Sequence, residues 1–205
     1  MMRLAVLGAS GHGKVVADAA ELAGWQDVCF FDDAWPGLTM NGHWPVVGGS
    51  SELLDSLGKY DGVVVGIGDN RIRRQKLQDL DAAGASVVSV IHPAAKVSPY
   101  AKLGSGVVVF ANAVINADAV VGTGAIINTG AVVEHDCRVG ECVHVSPNAT
   151  LAGGVLLGQL VWVGANACIK QLTSIGDEVV VGMGSVVLQN VVAGMVVAGN
   201  PARPL

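Results

Sequence analysis

The feature that most constrains this 205-residue chain is a repeat of six. Stepping by six from Val97 gives Val97, Leu103, Val109, Ile115, Val121, Ile127, Val133, Val139, Val145, Leu151, Leu157, Val163, Ile169, Ile175, Val181 and Val187, sixteen aliphatic positions in unbroken register. No α-helix has that period, and a fixed repeat dictates a whole architecture. Two positions before each aliphatic stands mostly Ala, Cys, Ser, Thr or Val, small enough for a narrow interior. A slower period overlies the first: Gly104, Gly122, Gly140, Gly158 and Gly176 follow the aliphatic every eighteen residues. Three six-residue sides closing an eighteen-residue turn describe a prism-shaped parallel β-solenoid, with one strand per side. About five coils, stacked at roughly 4.8 Å, make a column about 25 Å tall with aliphatic side chains inside. With no insertion between Val97 and Val187, this region grows no long loop to enclose a substrate.

The repeat also removes an ambiguity of composition. Hydrophobic residues are 51% and charged residues 14%, mean hydropathy is +0.52, and Ser146 to Ile169 carries no charge for 24 positions. A spanning helix needs fewer residues than that. Yet the stretch holds Pro147, Asn148, Gly153, Gly154, Gly158, Gly164 and Asn166 and keeps the six-residue period, so no membrane span is expected. A net charge of −5 argues against a general nucleic-acid surface. The four cysteines form no Cys-x-x-Cys pair and are expected as reduced thiols. The start, Met-Met-Arg-Leu-Ala-Val-Leu-Gly, has no apolar stretch ending in a small-residue cleavage site, so a cytoplasmic location is expected.

Charge divides the chain. Residues 1–90 hold 18 of the 29 charged side chains and residues 91–205 hold 11. The first part alternates strand and helix: strands at 3–7, 28–32, 62–67 and 87–91, helices at 13–23, 51–57 and 70–83. The predicted fold is therefore an α/β, Rossmann-like half domain over 1–90, followed by an all-β parallel solenoid and carboxy-terminal tail over 91–205. Gly8, Gly11 and Gly13 fall between the first strand and first helix, where backbone amides and a helix N-terminus can approach a phosphate. Asp32 or Asp33, at the end of the second strand, stands where a dinucleotide fold places its ribose-binding acid. A module of about 90 residues is only half of such a fold, which counts against NAD.

In the second part His135 draws attention, because two of the six acids in residues 91–205, Glu134 and Asp136, flank it. Imidazole can take a proton near neutral pH, and either acid could hold its tautomer. His144 lies nine residues on, half a coil away, on a different side of the prism, so meeting His135 is easiest across a subunit boundary. The run His135-x-Cys137-x4-Cys142-x-His144 has no paired zinc spacing, and Cys137 falls in the small inward series, so no metal site is expected.

Seven segments carry a resemblance. They are Gly-Ala-Ser-Gly-His-Gly (8–13), Phe-Asp-Asp (31–33), Gly-Ile-Gly-Asp-Asn (66–70), Ile-His-Pro (91–93), Asn-Thr-Gly-Ala-Val-Val-Glu-His-Asp (128–136), His-Val-Ser-Pro (144–147) and Gly-Asn-Pro-Ala-Arg (199–203). Together with the hexads they resemble the bacterial hexapeptide-repeat acetyltransferases that modify nucleotide sugars, such as the UDP-4-amino-sugar enzymes of bacillosamine synthesis and their sialic acid O-acetyltransferase relatives. The resemblance implies a left-handed β-helix, a homotrimer with sites between subunits, and acetyl-CoA as cosubstrate. It implies N-acetylation of the 4-amino group of a nucleotide-linked, UDP-carried deoxy-sugar by direct transfer, with O-acetylation of sialic acid or another sugar as the rival. It selects Asp136 as the partner of a His135 general base and places His144 and Asn128 near the acetyl group. Gly153, Ala165, Gly182 and Met183 match backbone contacts to coenzyme A, and Pro201 and Arg203 its distal end. Ser10, Gly11, His12, Asp32, Asp33 and Gly68 match the nucleotide-sugar positions.

Overall fold

The computed structural model describes residues 2–205 and divides into two compact units, one ending at Pro93 and the other Ala94–Leu205. In the first, β1 (Arg3–Leu7), α1 (Gly11–Leu22), β2 (Asp27–Phe31), the hairpin β3 (Met40–Asn41) and β4 (Trp44–Pro45), α2 (Ser50–Asp55), β5 (Gly62–Val65), α3 (Asn70–Ala82) and β6 (Val90–Ile91) follow in order. The central sheet is parallel, in the order β2-β1-β5. Leu4–Leu7, Val28–Phe31 and Val63–Val65 are buried throughout, as unbroken apolar runs in a helix-covered parallel sheet must be. α1 contributes Val16, Ala17, Ala19 and Ala20 to this core.

Three local departures from the sequence reading have physical causes. The helix expected over 51–57 stops at Asp55 and resumes as a 3-10 turn at Leu57–Lys59, because the Ser56 hydroxyl donates to the Glu52 carbonyl at 2.5 Å. The strand expected over 87–91 survives as a bridge at Val87 and the short β6, since the Val87 amide turns back to donate to Ala85. The β3–β4 hairpin, which was not foreseen, pairs Asn41 with Trp44 and turns at Gly42-His43, with Gly42 at φ +65°. Trp44 anchors it, donating to Glu21 at 2.8 Å and meeting Phe30 edge-on.

The second unit is the solenoid. Two-residue strands recur every six residues from β7 (Lys96–Val97) to β22 (Val186–Val187), so the column has between five and six coils. β7 and every third strand after it form a first face of six. β8 (Lys102–Leu103) begins a second face of five, and β9 (Val108–Val109) a third, which β23 (Val196–Gly199) and the antiparallel β24 (Ala202–Pro204) continue. Pairing is parallel with a register of eighteen, for example Val114↔Val132↔Thr150. The hexad aliphatics and the small residues two before them form one continuous buried core.

Each corner needs a residue in the left-handed region. Fourteen consecutive corners supply one every six residues from Gly106 to Gly184, nine of them non-glycine, Asp118 and Asp136 among them. The glycines spaced by eighteen have a different task, because they lie against the next coil. A Cβ on Gly140 would come within 2.5 Å of the Gly158 carbonyl group. Gly140→Ala should therefore destabilise the protein by about 1–3 kcal/mol, the usual range for overpacking, read as a lower denaturation midpoint. An unchanged midpoint would mean the coils are not in contact there.

Candidate active site

β13 (Val132–Val133) and β14 (Arg138–Val139) are joined by the corner that carries Glu134, His135 and Asp136. Asp136 takes φ +61°, which turns the chain and leaves the side chains of residues 135 and 136 exposed and adjacent. His135 Nδ1 lies 2.7 Å from Asp136 Oδ2. A carboxylate only accepts, so the hydrogen sits on Nδ1 and a neutral ring keeps its lone pair at Nε2. The bond to Asp136 raises the His135 pKa, partial desolvation opposes it, and the charges of Asp136 and Glu134 add to the rise. Glu134, the other candidate partner, is engaged elsewhere, accepting from Asn116 Nδ2 at 2.9 Å.

One coil on, Gly153 lies under the histidine ring. A Cβ there would stand 2.7 Å from His135 Cε1 and Nε2. The ring can occupy its position only because residue 153 has no side chain.

A second polar pair forms on the third face. His144 opens β15 (His144–Val145), where it is 6% exposed, and its Nε2 lies 3.0 Å from Asn128 Nδ2. Asn128 Oδ1 already accepts from the Thr129 amide at 2.8 Å, so the Asn128 nitrogen donates and His144 carries its hydrogen on Nδ1. Trp162, in register one coil later, packs its ring on the imidazole at 4.4 Å. The expected separation thus holds within one protomer, with His135 at the corner of the first and second faces and His144 on the third. Trp162 was missed in the sequence, although its eighteen-residue offset from His144 placed it in contact.

The remaining solenoid positions lie on later coils. Gly164 packs against the backbone of Gly182 and Met183, Met183 is 80% exposed, and Ala165 accepts from the Gly184 amide at 2.8 Å. Pro201 and Arg203 are exposed at the β23–β24 turn. Cys137 is buried in the core, where burial pushes its thiol pKa up and its Sγ contacts the Ala152 carbonyl at 3.2 Å. Among the described residues no cluster of three or more His, Cys, Asp or Glu could hold a metal ion.

In the first unit, the loops after β1 and β5 meet through glycine. A Cβ on Gly8 would be 2.5 Å from Ile67 Cγ1, and one on Gly13 would strike the Gly8 carbonyl. Ser10 stands at the N-cap position of α1 in an extended conformation, its side chain making no capping bond, and Gly11 and His12 open the helix. Both expected acids already hold loops: Asp32 accepts from the amides of Ala9 (2.7 Å) and Ala34 (2.9 Å). Asp33 accepts from the Ser50 amide (2.7 Å) and Lys76 Nζ (3.0 Å), which holds its pKa down to about 2. Arg73, 1% exposed, donates to the carbonyls of Ile67 (3.0 Å) and Gly68 (2.9 Å) and to Asn70 Oδ1 (2.8 Å), fixing the loop that contains Gly68. Burial first, and the Arg73 charge second, hold the His12 pKa down to about 4. Arg73 was not foreseen, yet it shares the inward face of α3 with Leu77 and Leu80 at helical spacing.

An α/β loop cluster joined in sequence to a β-solenoid with a histidine–carboxylate pair on its corner is the construction of a solenoid acyltransferase, and known proteins narrow the class. Residues 3–80 match the model of the PglD N-terminal domain. The acetyltransferase domain of PglB from Neisseria gonorrhoeae is 42% identical with a TM-score of 0.95, each chain covered in full. Its complex with acetyl coenzyme A matches equally well, at 43% identity and TM-score 0.95 over 99% of this chain and 98% of that one. PerB from Caulobacter crescentus, solved with CoA and GDP-perosamine, is 37% identical with a TM-score of 0.94, over 100% of this chain and 98% of that one. A shorter likeness, 36% identity over 70 residues, links 34% of this chain to the acyl-[acyl-carrier-protein]–UDP-N-acetylglucosamine O-acyltransferase of Burkholderia mallei, and spans 27% of that curated relative. The chain belongs to the nucleotide-sugar acetyltransferases of the hexapeptide-repeat, left-handed β-helix family.

The two histidines should titrate far apart. By proton NMR, His12 is expected to change state near pH 4, and His135 above the ordinary value of about 6.5. Asp136→Asn should bring the His135 midpoint back down, and a midpoint that stays put would remove Asp136 as its partner.

Proposed function

We propose that this chain transfers acetyl from acetyl-CoA to the 4-amino group of a UDP-linked amino-deoxy-sugar. The observation that carries the reading is the exposed His135–Asp136 pair, with the hydrogen on Nδ1 and Nε2 left as the acceptor beside Gly153. In this reading the sugar nitrogen attacks the thioester carbonyl carbon while His135 Nε2 takes its proton. The C–S bond then breaks, and coenzyme A leaves as a thiolate that takes up that proton. Asp136 orients the ring and stabilises the imidazolium. His144, Asn128 and nearby amides position the thioester and the tetrahedral oxyanion.

Gly153, Ala165, Gly182 and Met183 bind acetyl-CoA along the later coils. Ser10, Gly11, His12, Asp32, Asp33 and Gly68 bind the nucleotide sugar, with amides at the start of α1 near the diphosphate. Because His135 and His144 occupy different sides of one prism, a site using both takes one from each of two subunits, which supports a homotrimer. The protein acts in the cytoplasm in this reading; no helix among the described residues is long and apolar enough to cross a membrane. The GDP-perosamine held with CoA by the perosamine N-acetyltransferase of Caulobacter supports an amine acceptor over the hydroxyl of a sialic acid.

Purified protein mixed with acetyl-CoA and a UDP-linked 4-amino sugar should release free thiol, and His135→Ala should lose at least about 10²-fold in kcat. Because the base must be neutral to accept a proton, the acid limb of the wild-type profile should lie above the ordinary imidazole value, and Asp136→Asn should shift it to lower pH. Full activity of His135→Ala would overturn the mechanism. A thermal shift with GDP-perosamine and none with the UDP-sugar would overturn the carrier assignment.

A further inference from the structure

Charge is scarce in residues 91–205, yet four of the 11 charged side chains there, Lys102, Asp118, Asp136 and Arg138, converge with Tyr100 and Val120 on one pocket of about 210 Å³. The eighteen-residue register brings them together. Tyr100, Asp118 and Asp136 occupy one corner in three successive coils, and Lys102, Val120 and Arg138 are neighbours across the second face. The pocket shares Asp136 with the histidine pair and extends from it toward the earlier coils. Gly153, which touches the His135 ring, belongs to the coil on the opposite side.

The character of that corner changes at the histidine. Its residues, eighteen apart, read Tyr100, Asp118, Asp136, Gly154, Leu172 and Asn190, so groups that can bind hydroxyls lie on the coils before His135 and bare backbone or an apolar side chain on the two coils after it, Asn190 beyond them accepting from the Ser174 amide. Under the acyl transfer proposed above, on which this inference rests, coenzyme A uses the later coils, and the acceptor must approach from the earlier ones. We propose that the pocket is the subsite for the acceptor's sugar ring, with Asp118 and Tyr100 as its specificity-determining contacts. Two carboxylates and two cations cancel, so the lining does not select an ion. It offers acceptors for hydroxyl hydrogens at Asp118, donors at Lys102 and Arg138, and a 72% exposed phenol ring for the C–H face of a pyranose. Asp118 is set at φ +61°, a backbone state fixed by the corner, so its carboxylate has a defined origin. A sugar seated there presents its amino group toward Asp136 and His135.

Asp118→Ala, Asp118→Asn and Tyr100→Ala should each raise KM for the nucleotide sugar at least tenfold, with KM for acetyl-CoA unchanged. Thermal shifts separate the sugar from the rest of the ligand. UDP alone should stabilise wild type and Asp118→Asn equally, whereas the extra stabilisation by a UDP-linked 4-amino sugar, or by GDP-perosamine if that is the carrier, should be lost. Unchanged nucleotide-sugar KM in Asp118→Asn and Tyr100→Ala overturns the subsite. So does a changed oligomeric mass with unchanged KM, which would make the pocket a contact between subunits. A His135→Ala variant of full activity would instead refute the underlying reaction, whatever the pocket variants do.

Discussion

The second unit depends on one interaction repeated without interruption, the backbone hydrogen bond from each coil to the next, as from Lys96 to Ala113 and from Gly124 to Ser105, which holds the coils at a register of eighteen residues. It places the reactive corner under constraint from both directions. The Asp136 amide donates to Ala117 in the coil before, and the His135 carbonyl accepts from Gly154 in the coil after. A catalytic pair on a surface corner would ordinarily suffer from the mobility of loops. Here the backbone beneath it belongs to a ladder, and rigid support of that kind is what holds a reacting group to the tolerance that chemistry requires.

The same ladder explains why so much function rests on residues without side chains. Adjacent coils lie so close that one face of the prism cannot accommodate a Cβ at Gly104, Gly122, Gly140, Gly158 or Gly176. Gly153 turns this closeness to use, since the room it leaves is filled by the imidazole of another coil. In the first unit glycine serves a comparable end: Gly8, Gly13 and Gly66 let two loops touch, and the buried guanidinium of Arg73 fastens the second of them.

Fold was legible in the sequence to the extent that a local rule governed it. The hexads marked the strands β7 to β22 because one aliphatic per side is a requirement of the narrow core, though not β23 and β24 beyond them, and the alternation of strand and helix marked the three-stranded parallel sheet. What escaped was decided by single polar bonds, such as the Ser56 hydroxyl that ends α2 and the Trp44 contacts that anchor a two-residue hairpin. For the site, adjacency in sequence brought out His135 and Asp136, but not that Asn116 occupies Glu134. The tie between Asn128 and His144, sixteen residues apart, runs diagonally between adjacent coils, with Ile126 the residue in register with His144. Arg73 escaped notice because burial of a guanidinium depends on carbonyls from a loop that the sequence does not show to be near.

The unbroken series of left-handed corners has a consequence for how such a chain can change its length. Loss or gain of one residue would displace every later residue from its corner and turn the hexad aliphatics out of the core. Six residues would restore the corners but rotate everything downstream by one face, parting Gly153 from His135. Only eighteen returns each residue to its place, so the smallest alteration the column can absorb is a whole coil. Growth and shrinkage in this architecture are therefore quantised, and what lies between coils can vary only in side chains.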